Sequence, residues 1–159
     1  MKVFNAHDVL QFAIRIEENG EIFYREAARA TGDKGARDVF SRLATEEAGH
    51  KRTFEGMLEG LGDYQPAEAY QGEYLAYLRE YIDGKAVFRG LAGNSPELAQ
   101  VRDIVSALEF GMQREIDSIV YYQEIEAFTP EKYHKTVDAI IAEERRHFSL
   151  LSEMRKGYR

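Results

Sequence analysis

Residues 45–50 read Thr-Glu-Glu-Ala-Gly-His and residues 142–147 read Ala-Glu-Glu-Arg-Arg-His, so the chain twice spells Glu-Glu-x-x-His. Around each copy the apolar residues recur at three and four, the spacing of one helix face. Leu43 and Phe54 flank the first copy, which turns Glu47 and His50 toward the apolar side and leaves Glu46 looking out beside Arg42. Val137, Ile140 and Leu151 flank the second, and Glu144 and His147 fall in their stripe. Ahead of each copy stands Glu-x6-Tyr: Glu17 to Tyr24, and Glu115 to Tyr122. Glu17 shares a face with Ala13, Gly20 and Tyr24; Glu115 lies among Leu108, Met112, Ile119 and Tyr122. The whole order recurs after 98 and then 97 residues, so the chain reads as a duplicated helix pair.

Four helices accommodate that pattern. The first is expected from about Ala6 to Ala30, capped by Asn5 with Asp8 at the third position and stopped by Thr31-Gly32. The second runs from Lys34 or Asp38 to Glu59, capped by Asp33 and ended by Gly60-Leu61-Gly62. The third and fourth are expected to open at Ser95-Pro96-Glu97 and Thr129-Pro130-Glu131. Each offers a hydroxyl cap, a proline in the first turn and an acid at the positive end. Leu98, Val101 and Val105 would begin the third stripe and Tyr133 the fourth, which stops near Gly157. From Gly62 to Asn94 the connection is too long for a tight turn. It reads as a tyrosine-rich crossover with a short helix from Glu73 to Ile82. No segment reads as a sheet. The expected architecture is one all-α domain over residues 1–159, an up-down four-helix bundle with a long crossover between its second and third helices.

Composition narrows the chemistry. The 159 residues can bury a sizeable core without crosslinks, and zero cysteines exclude a disulfide scaffold, a thiol nucleophile, an iron–sulfur cluster and Cys-ligated zinc. A net charge of −7 disfavours binding to nucleic acid. No apolar stretch approaches a membrane span, and the opening MKVFNAHDVLQFAIRIEENGE lacks the apolar block of a signal peptide, so a cytoplasmic protein is expected.

Four inward glutamates at one level of a helical core repel one another, and each costs several kcal/mol if charged and unpaired. Two divalent cations cancel four negative charges. Glu and His three apart on a helix lie about 60° apart around the axis and about 4.5 Å along it, so both can reach one ion. Four Glu and two His suit a pair of iron ions first and manganese second, since zinc takes fewer ligands and calcium does not favour histidine.

The stretches IEENGEIFY (16–24), TEEAGH (45–50), QREIDSIVYY (113–122) and AEERRH (142–147) resemble the ferritin-like superfamily and, within it, the rubrerythrin-like proteins. The resemblance implies a carboxylate-bridged centre of two irons per chain. Glu47 and Glu144 would bridge the metals, Glu17 and Glu115 would be terminal ligands, and His50 and His147 would each bind one iron. Tyr24 and Tyr122 match tyrosines close to the cluster. Rubrerythrins proper also carry a four-cysteine rubredoxin-like module, absent here, so electrons are expected from a separate donor protein. They carry an extra glutamate one turn beyond the terminal ligand of the third helix; here that position is Ser118, with Met112 one turn the other way, and His50 is expected to be a permanent ligand. The implied activity is reduction of hydrogen peroxide or dioxygen. The alternatives are a ferroxidase that handles iron and a metal-free helical interaction module. A homodimer is expected. His7 and His134 read as surface residues; Glu18, Glu21, Glu46, Glu143 and the Arg145-Arg146 pair read as a solvated face.

Overall fold

The computed structural model describes residues 5–63, 72, 73, 76 and 103–158. Their regular structure is entirely helical: α1 (Ala6–Ala30), α2 (Lys34–Glu59), α3 (Ile104–Ile125) and α4 (His134–Lys156), with 3-10 turns at Glu126–Phe128 and Glu131–Tyr133 before α4. The first two helices begin where local cap chemistry dictates. Asn5 accepts from the Asp8 backbone N–H at 3.1 Å while Asp8 accepts from the Asn5 N–H at 2.7 Å, a reciprocal box. Asp33 accepts from the Ala36 N–H at 2.8 Å. After α2, Gly62 turns the chain with φ +81, a conformation that favours glycine.

The later two helix starts differ from expectation. Helix α3 opens at Ile104, because Asp103 sits in extended backbone and forms a capping box with Ser106. A helix running unbroken from Ser95 through Glu115 is therefore ruled out. Ser95-Pro96-Glu97, Leu98, Val101, the crossover tyrosines and most of the expected 73–82 helix lie outside the described residues. Thr129 does not cap α4. Its hydroxyl donates backward to the Glu126 carbonyl at 3.1 Å, Pro130 is extended, and the α-helix starts only at His134. His134 itself ties to the Thr129 carbonyl at 3.1 Å, and His7 reaches the Gly62 carbonyl at 3.1 Å.

Helix directions follow from paired contacts. Tyr24 of α1 meets Glu115 of α3 and Glu17 meets Tyr122, so these helices are antiparallel. Glu46 meets His147 and His50 meets Glu143, which makes α2 and α4 antiparallel too. The order is up, down, down, up, so the end of α2 and the start of α3 lie at opposite ends of the bundle.

The core is two apolar clusters with a polar layer between them. Val9, Phe12, Ile16, Phe54, Met57, Tyr122 and Val137 fill one end; Phe23, Tyr24, Phe40, Leu43, Leu108 and Leu151 fill the other. Along every helix the change from one cluster to the other falls at the glutamate singled out above. No described helix is long and apolar enough to cross a membrane.

Candidate metal centre

Glu17, Glu47, His50, Glu115, Glu144 and His147 are all buried, at 1–5% exposure, in the layer between the two apolar clusters. The bundle brings them together in two overlapping sets. Ligand atoms of Glu17, Glu47, His50 and Glu144 lie within 4.8 Å of one another, and so do those of Glu47, Glu115, Glu144 and His147. Glu47 and Glu144 belong to both sets. His50 Nδ1 lies 2.8 Å from Glu144 Oε1 and 3.6 Å from Glu17 Oε2. His147 Nδ1 lies 3.3 Å from Glu47 Oε1, 3.6 Å from Glu115 Oε2 and 3.8 Å from Glu144 Oε2. The two imidazoles stack with centroids 5.6 Å apart.

Inward atoms of this layer have no hydrogen-bond partner: Glu17 Oε2, Glu47 Oε1, both carboxylate oxygens of Glu144, and Nδ1 of His50 and of His147. Buried polar atoms left unpaired are costly, and here they all belong to residues able to donate to a cation. Carboxylate oxygen with imidazole nitrogen is a donor set that suits iron or manganese.

Without cations, protons must balance the charge. Burial and the charges of Glu17 and Glu115 push Glu47 well above the usual carboxylate range, and burial with the charges of Glu47 and Glu115 does the same to Glu144. Burial also works against ionised Glu17 and Glu115. Close contacts of Glu17 with Glu47, His50 and the Tyr122 hydroxyl, and of Glu115 with Glu144, His147 and the Tyr24 hydroxyl, more than offset it and hold both carboxyls low. Burial opposes charge on His147, yet its contacts with Glu115 and Glu47 push it up to about 10. His50 is raised in the same manner by Glu17 and Glu143.

Tyr24 donates to Glu115 and Tyr122 donates to Glu17, each from one helix pair to the other. Burial and those carboxylate charges raise both phenols well above their ordinary value, so the tyrosines keep their protons and act as donors.

Glu46 and Glu143 correct the reading of a solvated face. His147 Nε2 lies 2.8 Å from Glu46 Oε2, and His50 Nε2 lies 2.8 Å from Glu143 Oε2. A carboxylate only accepts, so each contact keeps a proton on Nε2 and turns Nδ1 toward the layer, where a metal ion would take the place of its proton. The support is crossed: α2 orients the histidine of α4, and α4 orients that of α2. Glu46 does also pair with Arg42 at 3.0 Å, as its outward position suggested. The signal available in the sequence was the doubled acid of Glu-Glu-x-x-His, present in both copies.

A second residue escaped the sequence pattern. Arg114 is buried beside the layer at 7% exposure and donates to the Ile16 carbonyl at 3.2 Å. Its only trace in the sequence is a break in the repeat, since the matching position of the first half is Ile16.

The rubrerythrin family model matches residues 8–155 of this chain. No curated protein matches it. Among solved structures, a Thermotoga maritima protein assigned as a ferritin-like diiron-carboxylate protein aligns with a TM-score of 0.66 at 25% identity, covering 98% of this chain and 97% of that one. The family match takes in all four helices and every residue of the buried Glu/His layer; with that span and this bundle, the chain belongs to the rubrerythrin family of ferritin-like proteins.

Proposed function

We propose that the chain is a non-haem di-iron oxidoreductase that reduces hydrogen peroxide or dioxygen. The observation that carries this reading is the sharing of Glu47 and Glu144 between two ligand sets, each completed by one further glutamate and one histidine. Glu47 and Glu144 would be shared by the two ions, with Glu17 and His50 completing one ligand set and Glu115 and His147 the other. Two irons, if held there, would supply the two electrons that, with two protons, reduce hydrogen peroxide to two waters.

The remaining work falls to the protein. Tyr24 and Tyr122 fix the terminal carboxylates by donating to them. Glu46 and Glu143 fix the imidazoles. The apolar clusters above and below exclude water and strengthen every interaction within the layer. Buried Ser118, one turn beyond Glu115, offers no further carboxylate, so His50 stays a permanent ligand. Because this chain has no cysteine to hold a redox module of its own, this reading assigns the return of electrons to a separate donor protein.

Mixing the anaerobic ferrous protein with peroxide, and separately with air-saturated buffer, tests the substrate. Faster oxidation by peroxide is expected. Equal or slower oxidation by peroxide would remove the peroxidase reading and leave an oxidase.

A further inference from the structure

Arg114 is, among the described residues, the one buried charge beside the layer that the proposed chemistry does not use. Among the described residues no carboxylate makes ion-pair contact with its guanidinium, and its one hydrogen bond goes to the Ile16 carbonyl at 3.2 Å. An arginine does not give up its proton in a protein, so this is a permanent positive charge held out of water. Its seat depends on Gly20. A Cβ there would come within 3.0 Å of Glu47 Oε2 and 3.3 Å of Arg114 Nη2, which places those two atoms within about 6 Å of each other over one point of α1. The guanidinium therefore faces the acidic layer beside Glu47. Its charge is felt by Tyr24 on that side and by half-buried Asp117, one turn away on its own helix.

The duplication supplies the second observation. Tyrosine, glutamate and histidine contacts all occur in matched pairs, yet Arg114 has no counterpart. The equivalent residue is Ile16, and the residue equivalent to Gly20 is Ser118. A layer that is otherwise two-fold in its contacts thus carries a fixed charge on one side only.

We propose that Arg114, seated over Gly20 beside the shared carboxylate of Glu47, is a positioning residue whose fixed charge raises the reduction potential of the iron pair that Glu47 serves. The inference rests on the di-iron reading. A nearby positive charge disfavours the ferric state more than the ferrous, because the ferric state carries the greater positive charge. Removing it must make the iron easier to oxidise.

The test is the midpoint potential of the iron-loaded protein for wild type, Arg114→Ile, Arg114→Gln and Arg114→Lys. Ile is the residue at the matching position; Gln serves if the Ile variant fails to fold. Both uncharged variants should bind two irons and show a ferric-to-ferrous ratio at least about tenfold higher at a fixed potential, a midpoint lower by about 59 mV for a one-electron couple. Arg114→Lys should stay at the wild-type midpoint. Uncharged variants that bind two irons at the wild-type potential would overturn the proposal, and so would a lysine variant that falls with them, since the guanidinium's hydrogen bond rather than its charge would then matter. Failure of the wild type itself to take up iron would sink the di-iron reading and this inference with it, and wild type alone reports that outcome.

Discussion

Replacing Glu47 and Glu144 together by glutamine will abolish binding of both metal ions and stabilise the metal-free protein by about 1–4 kcal/mol. The two effects have one cause. In the metal-free core these carboxyls have lost their hydration and face the charges of Glu17, Glu115 and each other, which pushes both well above the usual carboxylate range. Glutamine keeps the shape but removes the negative charge that two shared cations would need.

The pH dependence has a definite sign. A carboxyl whose folded pKa is raised contributes stability that is present below its ordinary value and lost as pH rises through the folded value. His147, raised from 6.5 to about 10, acts in the same direction over that range. Wild-type protein stripped of metal should therefore lose stability as pH climbs from about 4.5 toward 10 on account of these groups. The double variant lacks the Glu47 and Glu144 part, so its advantage should be small near pH 4 and grow with pH. Urea unfolding in the presence of a chelator at several pH values measures this. A double variant that is less stable than wild type at pH 8, or that still binds two ions, would contradict it.

Truncating Glu46 or Glu143 to alanine should weaken metal affinity by about 10- to 100-fold each, although neither side chain reaches the interior of the layer. Each carboxylate accepts from the outward nitrogen of the opposite helix's histidine at 2.8 Å. Without that acceptor the imidazole can rotate or carry its proton on Nδ1, the nitrogen that must be bare to bind a cation. Glutamine at either position keeps an acceptor oxygen and should recover much of the loss. Competition titration with a chromophoric chelator gives the affinities. Unchanged affinity in both alanine variants would mean that the rings are oriented by something other than these contacts.

Much of this arrangement is legible in the sequence. The starts of α1 and α2 are set by local chemistry, Asn5 with Asp8 and Asp33 with Ala36, and local chemistry is what a sequence displays. Glu17, Glu47, Glu115 and Glu144 interrupt apolar stripes in phase, and phase survives errors at helix ends. The start of α4 differs from expectation because a hydroxyl, proline and acid in a row serve a 3-10 turn as readily as an α-helix. Thr129 spends its hydroxyl on the preceding turn instead. Glu46 was harder to place. It lies about 100° around the helix from Glu47, at the boundary between inside and outside, and only the approach of α4 decides that one oxygen takes His147 while the other keeps Arg42. Arg114 is harder still, since its burial depends on a missing side chain at Gly20 on another helix.

The most direct measurement is an anaerobic ferrous titration of the metal-free protein, with iron counted against chain and followed by one addition of peroxide. Saturation at two irons per chain, with a ferric absorption after oxidation, is the result expected if two positions share Glu47 and Glu144. Saturation at none, or at one loosely held ion, would mean that the four carboxylates do not act together on metal, and the bundle would then be a scaffold.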